Sequence, residues 1–390
     1  MRALWPVRLV IAAAAAAALL TGMVAGPARA TAAQATGAVA TERPAATSYA
    51  AAGRLTGVAA ASASNAWAVG AAGSDASATV LMLHWNGKAW SRVTKPKVLD
   101  GTAGELSAIT VVSATDAWAV GVTGTAGSGK DHTLLLHWNG KAWSQVTSPA
   151  PVTGGNLVAV TATAKSGWAV GYVNTNPDAP ACCAGTPLIF RLAGSKWSRV
   201  AVKLGAGAGL NGVAVTGANT VWAIGMPTAM ITGALARWNG KTWTWVRSFP
   251  VQGAYRPLEG IAAGPHGAAF AVGDNNDVPG PAISMRWTGK AWQKVTVSVP
   301  DSQLNAVAFA PGGAAWAAGS AFGGDAAHSL IVHWSGKAWT RVPSPSSGRV
   351  VVLAGIGFAA PGYGWAVGSA TSASGTSKTV ILHWNGKAWS

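Results

Sequence analysis

One nine-residue stretch constrains this chain more than any other feature of it. Leu-His-Trp-Asn-Gly-Lys-Ala-Trp-Ser occupies residues 83–91 and returns at 136–144 and 382–390. Degenerate copies stand at 190–198, 236–244, 285–293 and 332–340. Copies recurring about every fifty residues mean one supersecondary unit, built repeatedly and stacked on itself. Asn-Gly between apolar runs is a strong hairpin signal, because both residues tolerate the positive φ of a tight turn. It stands at Asn86-Gly87, Asn139-Gly140, Asn239-Gly240 and Asn385-Gly386, and Gly194, Gly289 and Gly336 keep the glycine elsewhere. The flanking runs are β-branched and aromatic, as strands prefer.

Two further strand signals precede each hairpin. The first is Leu-x-(Gly/Ala)-(Val/Ile), at 55–58, 106–109, 157–160, 210–213, 258–261, 304–307 and 353–356. Its third position is always small, which implies close approach by a neighbouring sheet. The second is Trp-Ala-Val-Gly or a near copy, expected to end at Gly70, Gly121, Gly171, Gly225, Gly273, Gly319 and Gly368. Four strands per unit, repeated without helical periodicity, predict an all-β seven-bladed β-propeller, with four antiparallel strands per blade. The blades fall at approximately 53–97, 104–148, 155–202, 208–248, 256–297, 302–343 and 351–390. The ring is expected to close by packing the seventh blade on the first, with no strand borrowed from the other terminus.

An apolar strand ending in glycine, an aromatic-polar turn and a Trp in the outer strand resemble kelch-type propellers, the family that includes the central domain of galactose oxidase. The resemblance spans 55–390 and implies the fold. The sequence departs from kelch in having a single glycine after most second strands, and Asn86 and its equivalents where kelch often has Asp. The copper-radical chemistry of galactose oxidase needs tyrosines, histidines and a cysteine brought together. Tyr172, Tyr255, His132, His328 and Cys182 fall in loops on one face, without that family's local motifs.

Residues 1–30 read as a secretory signal: Arg2 and Arg8, an apolar run from Leu9 to Leu20, and Ala28-Arg29-Ala30 at the cleavage position. Residues 31–52 read as an Ala- and Thr-rich flexible leader. The expected location is secreted, extracellular or cell-surface associated, with no transmembrane segment once the signal is removed. That removal lowers the formal charge from +16 to +13. Cys182 and Cys183 are the only cysteines, so disulfides do not staple the fold.

Nineteen of the 21 Trp fall at three repeat positions, in the second, third and fourth strands. So many indoles serve better as wedges between blades than as sugar-stacking platforms. The third strand also repeats a basic residue: His84, His137, Arg191, Arg237, Arg286, His333 and His383. Spread around a ring, these cannot converge on one metal, and they read as a structural edge position.

The loops divide between two faces. One face collects a lysine per hairpin: Lys88, Lys141, Lys196, Lys241, Lys290, Lys337 and Lys387, joined by Lys165 and opposed only by Asp116. Such a ring is either a solvated turn copied by the repeat or a contact for an anionic surface. The other face carries ten of the twelve acids and the most variable loops, where binding sites gather. The longest of these holds Tyr172, Asn174, Asp178 and the adjacent Cys182-Cys183, which oxidation would close into a strained ring. Asp274-Asn275-Asn276-Asp277 has oxygen ligands at close spacing but lacks a full calcium-loop pattern and reads as a turn. The residue after each first-strand Leu varies and is mostly polar, so Ser107, Asn211, Glu259 and Asn305 are candidates to line a pocket at this mouth.

No nucleophile–base pair, paired-carboxylate motif or metal-ligand cluster stands out, and no cofactor or metal is implied. The expected function is a monomeric, non-catalytic binding module taking a glycan or other polar ligand at the mouth. Two alternatives stay open: an envelope- or protein-interaction scaffold using the lysine ring, and a secreted propeller oxidase or glycan-active enzyme. Nucleic acid is not an expected partner, because arginine–aromatic interleaving in loops is lacking.

Overall fold

The computed structural model describes residues 49–73, 77–124, 131–149, 153–174, 185–205, 209–226, 234–248, 258–274, 280–347 and 349–390. The expected signal at 1–30 and most of the leader lie outside them. Regular structure among the described residues is β-strand, apart from 3-10 turns at Lys97–Leu99 and Pro265–Gly267.

The strands group as the repeat requires. Unit 1 is β1 (Gly53–Ser62), β2 (Asn65–Ala72), β3 (Thr79–Trp85) and β4 (Trp90–Arg92). Unit 2 is β5 (Gly104–Ser113), β6 (Asp116–Thr123), β7 (His132–Trp138) and β8 (Trp143–Gln145). Unit 3 is β9 (Gly155–Ala162), β10 (Ser166–Asn174), β11 (Gly185–Ala193) and β12 (Lys196–Arg199). Unit 4 is β13 (Gly209–Gly217), β14 (Thr220–Met226), β15 (Ala234–Trp238) and β16 (Trp243–Ser248). Unit 5 is β17 (Leu258–Ala263), β18 (Ala269–Gly273), β19 (Ile283–Trp287) and β20 (Trp292–Lys294). These are separate four-stranded antiparallel meanders. Unit 6 is β21 (Ser302–Phe309), β22 (Ala315–Gly323), β23 (Ala326–Trp334) and β24 (Trp339–Val342), and unit 7 is β25 (Val350–Ala360), β26 (Tyr363–Thr371) and β27 (Ser377–Trp384). A single parallel bridge, Ala327 to Val350, joins units 6 and 7. Trp389 bridges Trp384 where the other units have a fourth strand.

The first strands meet around the centre. Cβ atoms built on Gly57, Gly260 and Gly355 would lie 3.4, 3.0 and 3.0 Å from the Cα of Ala108, Ala306 and Gly57 in the next unit. That contact is the physical reason for the small third position. A β-bulge between Leu55 and Gly57 recurs in the other units and turns a carbonyl onto the second strand. A Cβ on Gly70, Gly121, Gly171 or Gly368 would run into the carbonyl oxygen of Arg54, Glu105, Asn156 or Val352. The glycine expected to end the second strand therefore admits the bulge instead. Most second strands run past it, β10 as far as Asn174.

Indoles fill the space between units. Trp67 on β2 faces Trp138 and Trp143 of unit 2 at 4.9 and 5.2 Å between ring centroids. Trp222 faces Trp287 and Trp292 at 4.8 and 5.3 Å, and Phe270 takes the indole's place against Trp334 and Trp339. The series ends with Trp365 of unit 7 on Trp85 and Trp90 of unit 1 at 6.0 and 5.8 Å, so the ring is closed. Edge-to-face aromatic pairs of this kind add roughly 0.5–1.5 kcal/mol each beyond the area they bury. Basic third-strand residues cap the second-strand indoles of their own units, whereas Arg286 of unit 5, which lacks that indole, lies over Trp334 of unit 6. His137 stacks on Trp118 at 4.1 Å, and the Arg237 guanidinium sits 5.6 Å above Trp222. Burial in these caps lowers the pKa of His84 and His333.

Closure has a second component. Linkers between units cross onto the third strand of the unit they leave: Gly104 N–H donates to Ala78 O at 2.8 Å, and Gly154 N–H to Asp131 O at 2.7 Å. Residues 49–52 make the same crossing on unit 7. Thr379 N–H donates to Ala51 O at 2.9 Å, Thr379 Oγ1 donates to Tyr49 O, and Ala52 bridges Lys378. The last residues of the expected leader are thus held by β27, although unit 7 takes its outermost pairing from its own Trp389.

The hairpin between third and fourth strands does not use the positive φ expected at both Asn and Gly. In unit 1 the loop is Asn86-Gly87-Lys88-Ala89, closed by Trp85 opposite Trp90. Gly87 has φ +93°, whereas Asn86 is not among the positive-φ residues. Asn86 Oδ1 instead accepts the N–H of Lys88 and of Ala89, each at 3.0 Å. An Asx turn of this kind needs the asparagine's side chain rather than its backbone tolerance. The same loop recurs at Asn139, Asn239 and Asn385.

Candidate functional site

Two surfaces follow from this geometry. Trp85, Trp138 and Trp384 donate their Nε1–H to Ala63, Ala114 and Pro361, in the turns between first and second strands. The lysine hairpins therefore lie on the same face as those turns, and all seven lysines are exposed. The loops between second and third strands open on the opposite face, around the mouth where the first strands begin.

At that mouth, two of the four residues singled out after the leucine, Asn211 and Asn305, hold units together, as does Thr56 at the same position in unit 1. Thr56 Oγ1 donates to Leu106 O at 2.6 Å, Asn211 Nδ2 to Leu258 O at 3.4 Å, and Asn305 Nδ2 to Leu353 O at 2.9 Å. Each bond runs from one unit to the leucine of the next. Glu259 holds the equivalent position on β17 and is partly buried. Ser107 is buried, and its Oγ has no hydrogen-bond partner.

The polar concentration lies two residues earlier on the first strands, just before the leucine, in units 1 to 3. Arg54 Nε and Nη2 donate to Glu105 Oε1 and Oε2 at 3.0 and 2.7 Å, a two-pronged ion pair that joins β1 to β5. Charge-assisted pairs with this geometry are the strong ones. Asn156 on β9 is fully buried and donates through Nδ2 to the Tyr172 hydroxyl at 3.2 Å. Its Oδ1 is buried without a partner. Burial pushes the Tyr172 phenol up to about 12; the negative charges of Asp131 and Glu105 add to the rise, and the Asn156 bond opposes it. Asp131 is itself fully buried. Glu105, Asp131, Asn156 and Tyr172 thus form one buried polar arc, with Ser107 two residues along β5.

Sequence reasoning named Tyr172 and Ser107 but not Arg54, Glu105, Asp131 and Asn156. Opposite charges at one repeat position in consecutive units, Arg54 and Glu105, were the available signal. Asn174 ends β10, and its N–H donates to Gly154 O at 2.8 Å. Asp178, Cys182, Cys183, Tyr255 and residues 275–277 lie outside the described residues. Asp274 pairs with Gln303 as an isolated bridge. Among the described residues no group of three or more His, Cys, Asp or Glu is placed to hold a metal ion. No described helix is long and apolar enough to cross a membrane.

Radial four-stranded meanders closed on themselves define the class as a β-propeller. No protein-family model and no curated protein sequence matches the chain. Among solved structures it is similar to virginiamycin B lyase from Staphylococcus aureus, with TM-score 0.53 and 12% identity over 85% of this chain and 98% of that one. At that identity the likeness shows the fold alone. Weaker likenesses are to YCF48 bound to D1 peptide (TM-score 0.48, 18% identity, 73% of this chain and 79% of that one) and to SapL1 lectin in complex with alpha methyl fucoside (0.47, 17%, 73% and 94%).

Proposed function

We propose that the chain is a secreted, non-catalytic binding module on a seven-bladed, kelch-like propeller, with its ligand at the mouth of blades 1 to 3. The buried acceptors of the polar arc carry the reading. Ser107 Oγ and Asn156 Oδ1 are buried without partners, beside the carboxylates of Glu105 and Asp131. Buried polar atoms are rarely left unpaired unless a ligand or water meets them. A site rich in acceptors selects a ligand rich in donors, and a polyhydroxyl compound such as a glycan fits that chemistry. Glu105 is tied to Arg54 through both oxygens, an arrangement that suits positioning rather than proton transfer.

A glycan array probed with the full chain tests this. Wild-type protein should give discrete hits that Ser107→Ala and Asn156→Ala reduce tenfold or more, about 1.4 kcal/mol or above, at unchanged Trp near-UV dichroism. A wild-type protein without hits, or hits indifferent to both substitutions, refutes it.

A further inference from the structure

The lysine face plays no part in the mouth and stands as a surface of its own. Its lysines are not needed to form their turns. The backbone N–H of each Lys in the Asn turns donates to Asn Oδ1, while the side chain is exposed. In units 5 and 6 the hydroxyls of Thr288 and Ser335 accept the same backbone bond. Asp116, the acid on this face, is engaged with His137 at 3.0 Å. The large hydrophobic side chains exposed among the described residues, Val98 and Val246, are not in these turns. This face is therefore a cationic rim without apolar anchors.

The arrangement of the charges selects the partner. Each blade carries one cation where its third strand turns into its fourth, at the same place in six blades and one residue later in blade 3 at Lys196, so the seven lie on one face around the axis. Points on a circle are not collinear, so a linear polyanion crossing the disc meets only a few of them. A flat anionic surface meets all of them together. We propose that this face docks on a lipid bilayer bearing anionic phosphodiester headgroups, held by long-range attraction without insertion. The ligand at the mouth then points away from the membrane. Each lysine close to such a surface contributes about 1 kcal/mol, so each one removed should weaken partitioning about fivefold.

Vesicle co-sedimentation of the full chain tests the proposal. Wild-type protein should bind vesicles of equal parts phosphatidylglycerol and phosphatidylcholine at low salt. It should not bind phosphatidylcholine alone, and it should leave the anionic vesicles at about 0.5 M salt, where the screening length falls to a few ångströms. Replacing Lys141, Lys241 and Lys337 by Gln should weaken binding about a hundredfold, while Lys97→Gln, Lys203→Gln and Lys378→Gln on the opposite face should change it little. Near-UV dichroism of the indoles checks that both triple variants fold. The proposal is overturned if wild-type protein ignores the anionic vesicles, or if both triple variants lose binding equally, since net charge rather than this face would then act. Binding to soluble linear polyphosphate without binding to vesicles would also overturn it and assign the face to a chain-like polyanion.

Discussion

Trp365→Ala tests whether the ring is closed. The indole is 1% exposed and lies 6.0 and 5.8 Å from Trp85 and Trp90 across the junction between the last blade and the first. Truncating a buried Trp to Ala costs roughly 3–5 kcal/mol, including the cavity left behind. The two edge contacts, about 0.5–1.5 kcal/mol each, fall inside that figure. Trp222→Ala is the internal reference, because Trp222 is fully buried and makes the same contacts with Trp287 and Trp292. An open stack of repeats has terminal interfaces that contribute little, whereas a closed ring has none. The two substitutions should therefore cost the same to within about 1 kcal/mol in urea unfolding, provided the slope of each transition matches wild type. A loss below about 1 kcal/mol for Trp365→Ala, beside a full loss for Trp222→Ala, refutes closure through this junction.

Two further outcomes follow from the mouth. Tyr172 in the unfolded chain ionises near 10, and in the folded protein it holds its proton to about 12. Its contribution is therefore complete below pH 10 and is lost as the pH rises through 12, a swing of roughly 3 kcal/mol that Tyr172→Phe should remove from the alkaline unfolding profile. Glu105→Ala removes both carboxylate bonds to the Arg54 guanidinium at the junction of blades 1 and 2, where the arginine side chain keeps 22% exposure. The cost should be about 2–3 kcal/mol, below the full penalty for breaking a buried pair, and Arg54→Met with Glu105→Leu should recover much of it in thermal unfolding.

Local pattern made much of this protein legible in its sequence. Alternating apolar and β-branched residues between glycine turns define strands, and their recurrence fixes four to a unit. The small position two residues after Leu55 and the repeated indoles told of close sheet-to-sheet contact, because only packing demands the same bulk at the same place in every copy. The lysine face was legible too, since strand order assigns each turn to one side.

Tertiary structure decided the rest. Asn86 serves its turn through a side-chain oxygen, a choice that the dipeptide Asn-Gly does not reveal. Asn211 and Asn305 looked like a pocket lining, yet they bond to the next blade's leucine carbonyl, as Thr56 does. Arg54 meets Glu105, and Tyr49–Ala52 meets β27 more than 300 residues away in the chain. Periodicity reports which face of its own strand a side chain occupies. Which polar groups meet across blades depends on how the sheets stack, and no single repeat carries that information.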